Sequence, residues 1–468
     1  MMKQNGKEPT ERQLGVDPAQ AFLEYFRCPQ EFAPFYVKGR LSAQQSFFSF
    51  GSVRCYGRTT LGLSPKSPAQ VDSANHHVCL SFNPTEVVEN FRLERYLESA
   101  TADRWLRGLY YLLRPILTST VRRFVHRAVF RSRTTTFPAW PVDCSVEEML
   151  KSLMELAVHA SQGREVPFIW FWPEGKSCAL TMTHDVEEES GAAHCQMLMD
   201  LDESFSMKAA FQLVPEGRYR NVEELIASIR ERGFESNIHD LDHDGRLYEH
   251  PERFQERAQK INAYARKYGM EGFRAGAMHR NQEWFDMLDF QYDMSVPTVA
   301  HLEPQKGGCC TVTPYFVGDV LELPLTTVQD HGLFFILGED SIDLWRRQID
   351  TVSSHHGLIS FIVHPDYIVQ KRERTLYCEL LQYLSQLRDE RDIWFALPNE
   401  INLWWRQRRK MQLVRERDEW QILGMGCERA RLAYAAIIDG RLTYRFADGS
   451  SPGFCESARV HESVNCGR

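Results

Sequence analysis

The chain has 468 residues, of which 43% are hydrophobic and 25% are charged, and its formal net charge is −8. A chain of this size and apolar content can bury a large core and accommodate more than one domain. The acidic balance excludes a general electrostatic attraction to nucleic acid, so no nucleic-acid partner is expected.

Residues 1–95 combine short strand-like runs such as HHVCLSF with turn-rich stretches such as TLGLSPKSPAQ. The opening residues are polar and lack the apolar segment of a secretory signal. No run in the chain reaches the roughly 20 apolar residues of a membrane-spanning helix. The 12 cysteines include no CxxC pair, which fits reduced thiols. We therefore expect a cytoplasmic protein whose residues 1–95 form a small, β-rich accessory region.

Residues 96–165 contain a basic, amphipathic stretch. Between 104 and 133, arginines alternate with apolar residues and no acidic residue interrupts them. Such a stretch either packs as surface helices on the rest of the protein or makes peripheral contact with an anionic membrane at its inner face. Apolar stripes at helical spacing usually face a core, which favours packing. A connector, FPAWPVD, then leads to a predicted helix that begins near Ser145.

Residues 166–410 alternate between strand-like and helical segments. The strand-like runs include CALTMT, AAFQLV, FESNIH, GFRAG, LISFIV and IWFAL. Strands that alternate with helices predict parallel βα units, and about seven such units favour a barrel-like α/β domain over an open sheet. Residues 411–468 carry short β-like pieces and a polar tail, which predict a small C-terminal β extension.

Polar residues follow several of these strand-like runs directly. In a barrel of parallel strands the catalytic groups come from the C-terminal strand ends, so these side chains are the candidates for chemistry. They are Asp185 and Glu187 after the first run, His239, Asp240 and His243 after the third, Arg274 in GFRAG, and His364 after LISFIV.

The spacing of His239 and His243 allows two imidazoles to converge on one ion. Asp185 or Glu187 could supply the oxygen ligand of a site with two histidines and one carboxylate, which leaves positions open for water. A zincin is excluded because its HExxH motif requires a glutamate at Asp240 and a helix in place of the preceding strand. A lone HxxxH pair often arises by chance, so the wider set of residues matters more than the pair.

A hydrolytic metal site also needs a base that takes a proton from water and an acid that protonates the leaving nitrogen. Asp185 and His364 fit these two roles. A buried guanidinium at Arg274 would orient Asp185 and keep it ionised.

Taken in order, these residues resemble the motifs of the polysaccharide deacetylase family of the NodB-homology type, over about residues 170–410. MTHDVE is similar to the first motif, which implies a base at Asp185 and a carboxylate ligand at Glu187, although a glutamate at that position leaves the division of roles open. GFESNIHDLDH is similar to the histidine motif and implies two further metal ligands, His239 and His243.

The remaining motifs also have counterparts. FRAGAMHRN matches the arginine motif at Arg274 but lacks its proline, and IVHPDY matches the acid motif at His364. For substrate contact we expect Asp240, which replaces the usual serine or threonine, together with Asp293 in YDMSVP and Tyr367, whose ring could stack on a sugar.

The resemblance implies a distorted (β/α)7 barrel and a metal-dependent hydrolase that removes N-acetyl groups from a polysaccharide or glycan. The implied cofactor is a divalent metal, with zinc expected. Two alternatives share the fold: an amidohydrolase that acts on a small non-sugar amide, and a catalytically inactive glycan-binding protein.

Overall fold

The computed structural model of the chain describes residues 16–60, 69–72, 76–97 and 136–452. The basic stretch at 104–133 lies outside the described residues, as do residues 1–15 and the tail beyond 452. No helix within the described ranges is long and apolar enough to cross a membrane.

The described residues form α-helices, short 3-10 or π turns and β-strands. The helices are α1 Gln20–Phe26, α2 Pro84–Arg92, α3 Ser145–Ala160, α4 Glu189–Ser204, α5 Val222–Glu231, α6 Pro251–Tyr268, α7 Asp343–Ser354, α8 Lys371–Glu390 and α9 Pro398–Lys410. The strands of the first half are β1 Phe35–Val37, β2 Ser46–Phe50, β3 Val53–Gly57, β4 Ala69–Asp72, β5 His77–Leu80, β6 Val166–Ile169, β7 Ala179–Val186, β8 Ala210–Leu213 and β9 Glu235–His239. Those of the second half are β10 Gly272–Arg274, β11 Tyr292–Asp293, β12 Tyr315–Val317, β13 Val320–Glu322, β14 Leu358–Ile362, β15 Trp394–Phe395, β16 Gln412–Glu416, β17 Glu419–Leu423, β18 Leu432–Ile438 and β19 Arg441–Phe446.

A curled, mostly parallel sheet forms the centre of the structure. Its strand order is β12-β13-β11-β10-β9-β8-β7-β14, and β15 lies beside the first residues of β7. All of its pairings are parallel except that of β12 with β13. Every residue of β7 and β14 is buried, as expected for parallel strands that helices cover. The predicted α/β class with parallel βα units is confirmed.

Side chains rather than a backbone ladder join the two ends of this sheet. The hydroxyl groups of Thr326 and Thr327, which follow β13, donate to the carbonyl oxygens of Leu358 (2.8 Å) and Ser360 (2.7 Å) in β14. The Ser360 Oγ accepts from the Thr326 amide at 2.9 Å. The sheet therefore curls far enough to approach closure at this seam without regular strand pairing, which is the sense in which the barrel is distorted.

Capping residues mark where the helices that follow the strands begin and end. Helix α6 begins with Pro251, whose fixed φ suits a first turn, and ends at Gly269 in the left-handed conformation (φ 58°). Its apolar residues Phe254, Ala258 and Ile261 face the sheet and are buried. Placement of the helices outside the sheet leaves the carboxyl ends of the strands free to form a site.

The terminal regions pack together on a second apolar core. The accessory strands form a β1-β5-β4 sheet and a β2-β3 hairpin, and their buried residues share one core with α3, β6, α9 and β18. Strand β6 pairs with β18 in an antiparallel sheet that also contains β19. Residues 166–169 therefore associate with the C-terminal extension, although the predicted boundary at 166 assigned them to the barrel. The division into four regions stays a prediction.

A buried histidine lies where this second core meets the barrel. The His356 Nδ1 atom lies 3.0 Å from the Ser177 carbonyl oxygen, and its ring is stacked on Phe171 with 6.0 Å between ring centroids. Burial lowers the pKa of His356 to about 4, so the folded state holds this imidazole neutral.

This histidine should make stability depend on pH. In the unfolded chain the His356 imidazole, with a pKa of 6.5, takes up a proton as the pH falls through 6.5. In the folded state the same imidazole stays neutral until about pH 4. Between pH 6.5 and pH 4 the free energy of unfolding of the wild type should therefore fall by roughly 3 kcal/mol more than that of His356→Asn, because asparagine has no proton to gain or lose in this range. Urea unfolding at both pH values measures this difference, and equal losses in the two proteins would contradict it.

Candidate metal centre

The carboxyl ends of four parallel strands carry the predicted site residues to one place. Asp185 lies in β7 with Glu187 just beyond it, His239 ends β9, Arg274 ends β10, and His364 follows β14. In the ladder, His239 lies opposite Arg274 and Ile362 opposite Thr183. His243 joins them from the loop after β9. Each of the six side chains lies within 4 Å of at least one other of the six.

Glu187, His239 and His243 offer ligand atoms that all lie within 4.8 Å of one another. The His243 Nε2 atom lies 3.0 Å from Glu187 Oε1, and the His239 Nε2 atom lies 3.8 Å from the same oxygen. Both imidazoles are buried, and neither Nε2 has a hydrogen-bond partner of acceptable geometry. Buried polar atoms are normally satisfied, so two orphaned nitrogens beside one carboxylate fit a divalent cation.

Neighbouring groups hold both imidazoles in orientation. The His239 Nδ1–H donates to the Arg274 carbonyl oxygen at 3.1 Å, which leaves the Nε2 lone pair directed at the centre. His243 has a left-handed backbone with φ 52°, an unfavourable conformation for a residue with a Cβ. Arg218 fixes that loop because it donates to the carbonyl oxygens of Asp242 (2.8 Å) and His243 (2.6 Å).

Gly276, just after β10, lies against the His243 ring. A Cβ at this position would lie 2.8 Å from His243 Cδ2 and 2.5 Å from Asp240 Oδ2. Both distances are shorter than van der Waals contact. The close approach of this backbone to the histidine loop therefore requires glycine.

Asp185 is paired with Arg274 beside the three possible ligands. The Arg274 Nη1 atom donates to Asp185 Oδ1 at 2.6 Å and to Thr183 Oγ1 at 2.8 Å. Burial alone would raise the pKa of Asp185, but the Arg274 guanidinium and the nearby imidazoles of His239 and His364 hold it below its usual value. Its second oxygen, Oδ2, lies 3.8 Å from His239 Nε2. Asp185 is thus an ionised carboxylate with one oxygen fixed and the other facing the centre.

His364 has the opposite electrostatic character. Its Nδ1–H donates to Asp330 Oδ1 at 2.7 Å, and its backbone N–H donates to the other Asp330 oxygen at 2.7 Å. Burial alone would lower the pKa of His364, but the Asp330 carboxylate, together with Glu187, raises it well above its usual value. The Nε2 atom lies 3.5 Å from Glu187 Oε1, so the protonated imidazole faces the centre.

Two residues that we expected to touch substrate accept hydrogen bonds from backbone amides. Asp240 accepts from the backbone amides of Leu241 (2.7 Å) and Gly276 (3.2 Å) and is 1% exposed. Asp293 accepts from the Ser295 amide at 2.7 Å and is 2% exposed. Their carboxylates are directed at backbone N–H groups of adjoining loops, and contact of either residue with a substrate stays a prediction.

Tyr367 lies at the edge of the centre. Its ring centroid is 4.6 Å from that of His364, and the side chain is half-buried. Contact of this ring with a substrate stays a prediction.

The loop at 300–308 carries a carboxylate, Glu303, that the sequence analysis did not single out. Burial raises the pKa of Glu303 to about 7, and the charges of His364 and Asp185 act on it. This loop is tied to the accessory region, because Glu94 accepts from the Gly308 amide (2.6 Å) and from Arg280 Nε (2.8 Å). None of Glu303, Asp330 and Glu94 directly follows a strand-like run, so a search of the strand ends could not find them.

Comparison with known proteins gives structural similarities only. No protein-family model and no curated protein matches the chain. A protein from Mycobacterium smegmatis assigned to the polysaccharide deacetylases is 19% identical over 54% of this chain and 98% of its own, with a TM-score of 0.43. The PuuE allantoinase is 13% identical over 50% and 92%, with a TM-score of 0.40. A second protein assigned to the polysaccharide deacetylases, from Pseudomonas aeruginosa PAO1, is 14% identical over 50% and 92%, with a TM-score of 0.38. At these values the similarities establish no activity and no family for this chain.

The contact at Gly276 predicts a selective loss of metal affinity. Gly276→Ala should displace His243 and weaken zinc binding by about 10- to 100-fold, the usual cost of disturbing a ligand's support. Calorimetric zinc titration, with circular dichroism to confirm folding, measures this effect. The matched control is Gly191→Ala in α4, where a Cβ would meet its nearest neighbour at an ordinary 3.6 Å. Zinc affinity that is unchanged in a folded Gly276→Ala protein would show that the glycine does not position His243.

Proposed function

We propose that the chain is a metal-dependent hydrolase that removes N-acetyl groups from a polysaccharide or glycan intermediate. The observation that carries the proposal is the convergence of one carboxylate and two imidazole nitrogens that lack a well-formed hydrogen bond, between Asp185, which is paired with Arg274, and His364, which is paired with Asp330. The N-acetylated glycan as substrate rests on the motif resemblance at MTHDVE, GFESNIHDLDH and IVHPDY.

Glu187, His239 and His243 would hold the metal ion. Zinc is the ion that best suits two imidazoles and one carboxylate with open positions. Such an ion supplies Lewis acidity toward a carbonyl group and makes a water molecule acidic near neutral pH. Of the two carboxylates in MTHDVE, Glu187 is the better ligand because its oxygen lies nearest His243 Nε2 (3.0 Å), whereas one oxygen of Asp185 is held by Arg274.

Asp185 would act as the base. Arg274 binds Oδ1 and leaves Oδ2 on the side of the centre, where it can accept a proton from the attacking water. The ion pair keeps the carboxylate ionised at neutral pH, which the role requires. The water oxygen then adds to the acetyl carbon as its proton passes to Asp185.

His364 would act as the acid. Asp330 binds its Nδ1–H and leaves the Nε2–H directed at the centre, where it can protonate the amide nitrogen as the C–N bond breaks. Because Asp330 also binds the His364 backbone, the imidazole is fixed in both position and charge. The products are acetate and a free amine.

The cytoplasmic location and the contact of residues 104–133 with a membrane stay predictions of the sequence. Residues 104–133 lie outside the described ranges.

Loss of one imidazole should remove both metal and activity. His243→Ala should lose bound metal and release no acetate from N-acetylated oligosaccharides, because two ligands alone bind the ion weakly. Elemental analysis and an acetate assay measure the two quantities. His194→Ala, which removes a half-buried imidazole from α4, is the control and should match the wild type.

The same assay separates the alternatives. Wild-type acetate release by a metal-free His243→Ala protein would refute the metal site. Release of ammonia from small amides in place of acetate would assign the centre to an amidohydrolase. Oligosaccharide binding without hydrolysis by a metal-loaded wild type would identify an inactive binding protein.

The two partners in the acid pair should differ in their effects on turnover. His364→Ala should keep its metal and lose about 10²- to 10⁴-fold in kcat, since the leaving nitrogen then has no positioned proton donor. Asp330→Asn should lose less, because the imidazole remains. Metal content and steady-state acetate release test both variants. Full turnover in His364→Ala would show that another group is the acid.

A further inference from the structure

A small cavity lies between elements of the accessory region and the barrel. Helix α1, the end of α2, the start of β12 and the end of α9 surround it. Its volume is about 30 Å³, and a cavity needs only about 10–15 Å³ by the same measure to hold one water molecule. None of the residues assigned to the metal centre lines it.

Three arginines and one carboxylate line this cavity. They are Arg92, Arg408, Arg409 and Glu24. Within the described residues none of the three guanidiniums forms an ion pair. The lining therefore carries two more positive than negative charges, because Glu24 is its one carboxylate.

Arg408 is the most deeply buried of the three, at 1% exposure. Its donors reach the carbonyl oxygens of Trp170 (2.9 Å), Tyr25 (2.8 Å) and Ile169 (2.7 Å), which are neutral acceptors. Burial and the nearby Arg27 lower the pKa of Arg408 to about 9, as expected for a buried cation with no anionic partner. An anion in the cavity would offset this cost.

Two further donors have no acceptor. The indole Nε1–H of Trp405, which lines the cavity, is buried and has no hydrogen-bond partner, and the Trp405 side chain is 6% exposed. The Arg92 Nε is likewise buried and unpartnered. An indole N–H can only donate, so its natural partner is an acceptor atom in the cavity.

We propose that this cavity binds a phosphate group, with Arg92, Arg408, Arg409 and the Trp405 indole as its recognition groups. Planar guanidiniums bind the oxygens of such anions through paired, charge-assisted hydrogen bonds. Glu24 would oppose the negative charge, but the three arginines outnumber it. A bound phosphate would contact α2 and α9 together and so join the accessory region to the barrel.

Phosphate binding to the full chain tests this proposal. Titration calorimetry and thermal unfolding are carried out with inorganic phosphate, and separately with glycerol phosphate, against chloride at the same ionic strength. We expect saturable binding of one phosphate per chain and a rise in Tm that chloride does not reproduce. Binding of inorganic phosphate alone identifies the free ion as the ligand, and binding of the ester identifies a phosphate group on a larger molecule.

Variants connect the binding to the cavity. Arg409→Gln removes an exposed guanidinium and Trp405→Phe removes only the indole donor, so each should weaken affinity by about tenfold or more. Arg266→Gln, on the exposed face of α6, changes the net charge equally and should bind like the wild type. His243→Ala should also bind like the wild type, which separates this site from phosphate bound at the metal centre.

Two results would overturn the proposal. One is the absence of saturable binding of either phosphate compound to the wild type. The other is wild-type affinity in both Arg409→Gln and Trp405→Phe.

Discussion

Two buried imidazole nitrogens with no hydrogen-bond partner are the constraint on which the centre depends. The Nε2 atoms of His239 and His243 are enclosed by protein, and the nearest carboxylates are Glu187, at 3.0 Å from His243 and 3.8 Å from His239, and Asp185, at 3.8 Å from His239. Burial of two such atoms is unfavourable unless something binds them. The carbonyl of Arg274 and the close approach of Gly276 nevertheless hold both rings in place. A divalent ion bound between these side chains would account for the arrangement.

Beside that centre, two titratable groups are held in opposite charge states. The guanidinium beside Asp185 favours its ionised form, while the carboxylate of Asp330 favours the protonated form of His364. Groups whose environments move their pKa values apart in this way are suited to act as base and acid in one reaction. Because the two come from β7 and from the segment after β14, which are neighbours in the sheet, parallel pairing places them at one mouth.

The sequence predicted those parts of the structure that depend on residues close together in the sequence. Apolar runs followed at once by polar residues marked β7, β9, β10 and β14 and hence the six residues of the centre, because strand burial and side-chain chemistry are both local signals. Loop geometry, in contrast, depends on contacts between residues that are far apart in the sequence. The carboxylates of Asp240 and Asp293 bind backbone amides, the support from Asp330 comes from a segment with no strand signal, and the pairing of β6 with β18 joins residues far apart in sequence.

The most direct measurement is the anomalous scattering of zinc in crystals of the full chain. One peak should appear about 2.0–2.2 Å from His239 Nε2, His243 Nε2 and a Glu187 oxygen, the usual zinc–ligand distances. Asp185 should remain bound to Arg274 beside it. A structure that shows no zinc between these three side chains, or that shows zinc held by other residues, would contradict the assignment of the centre.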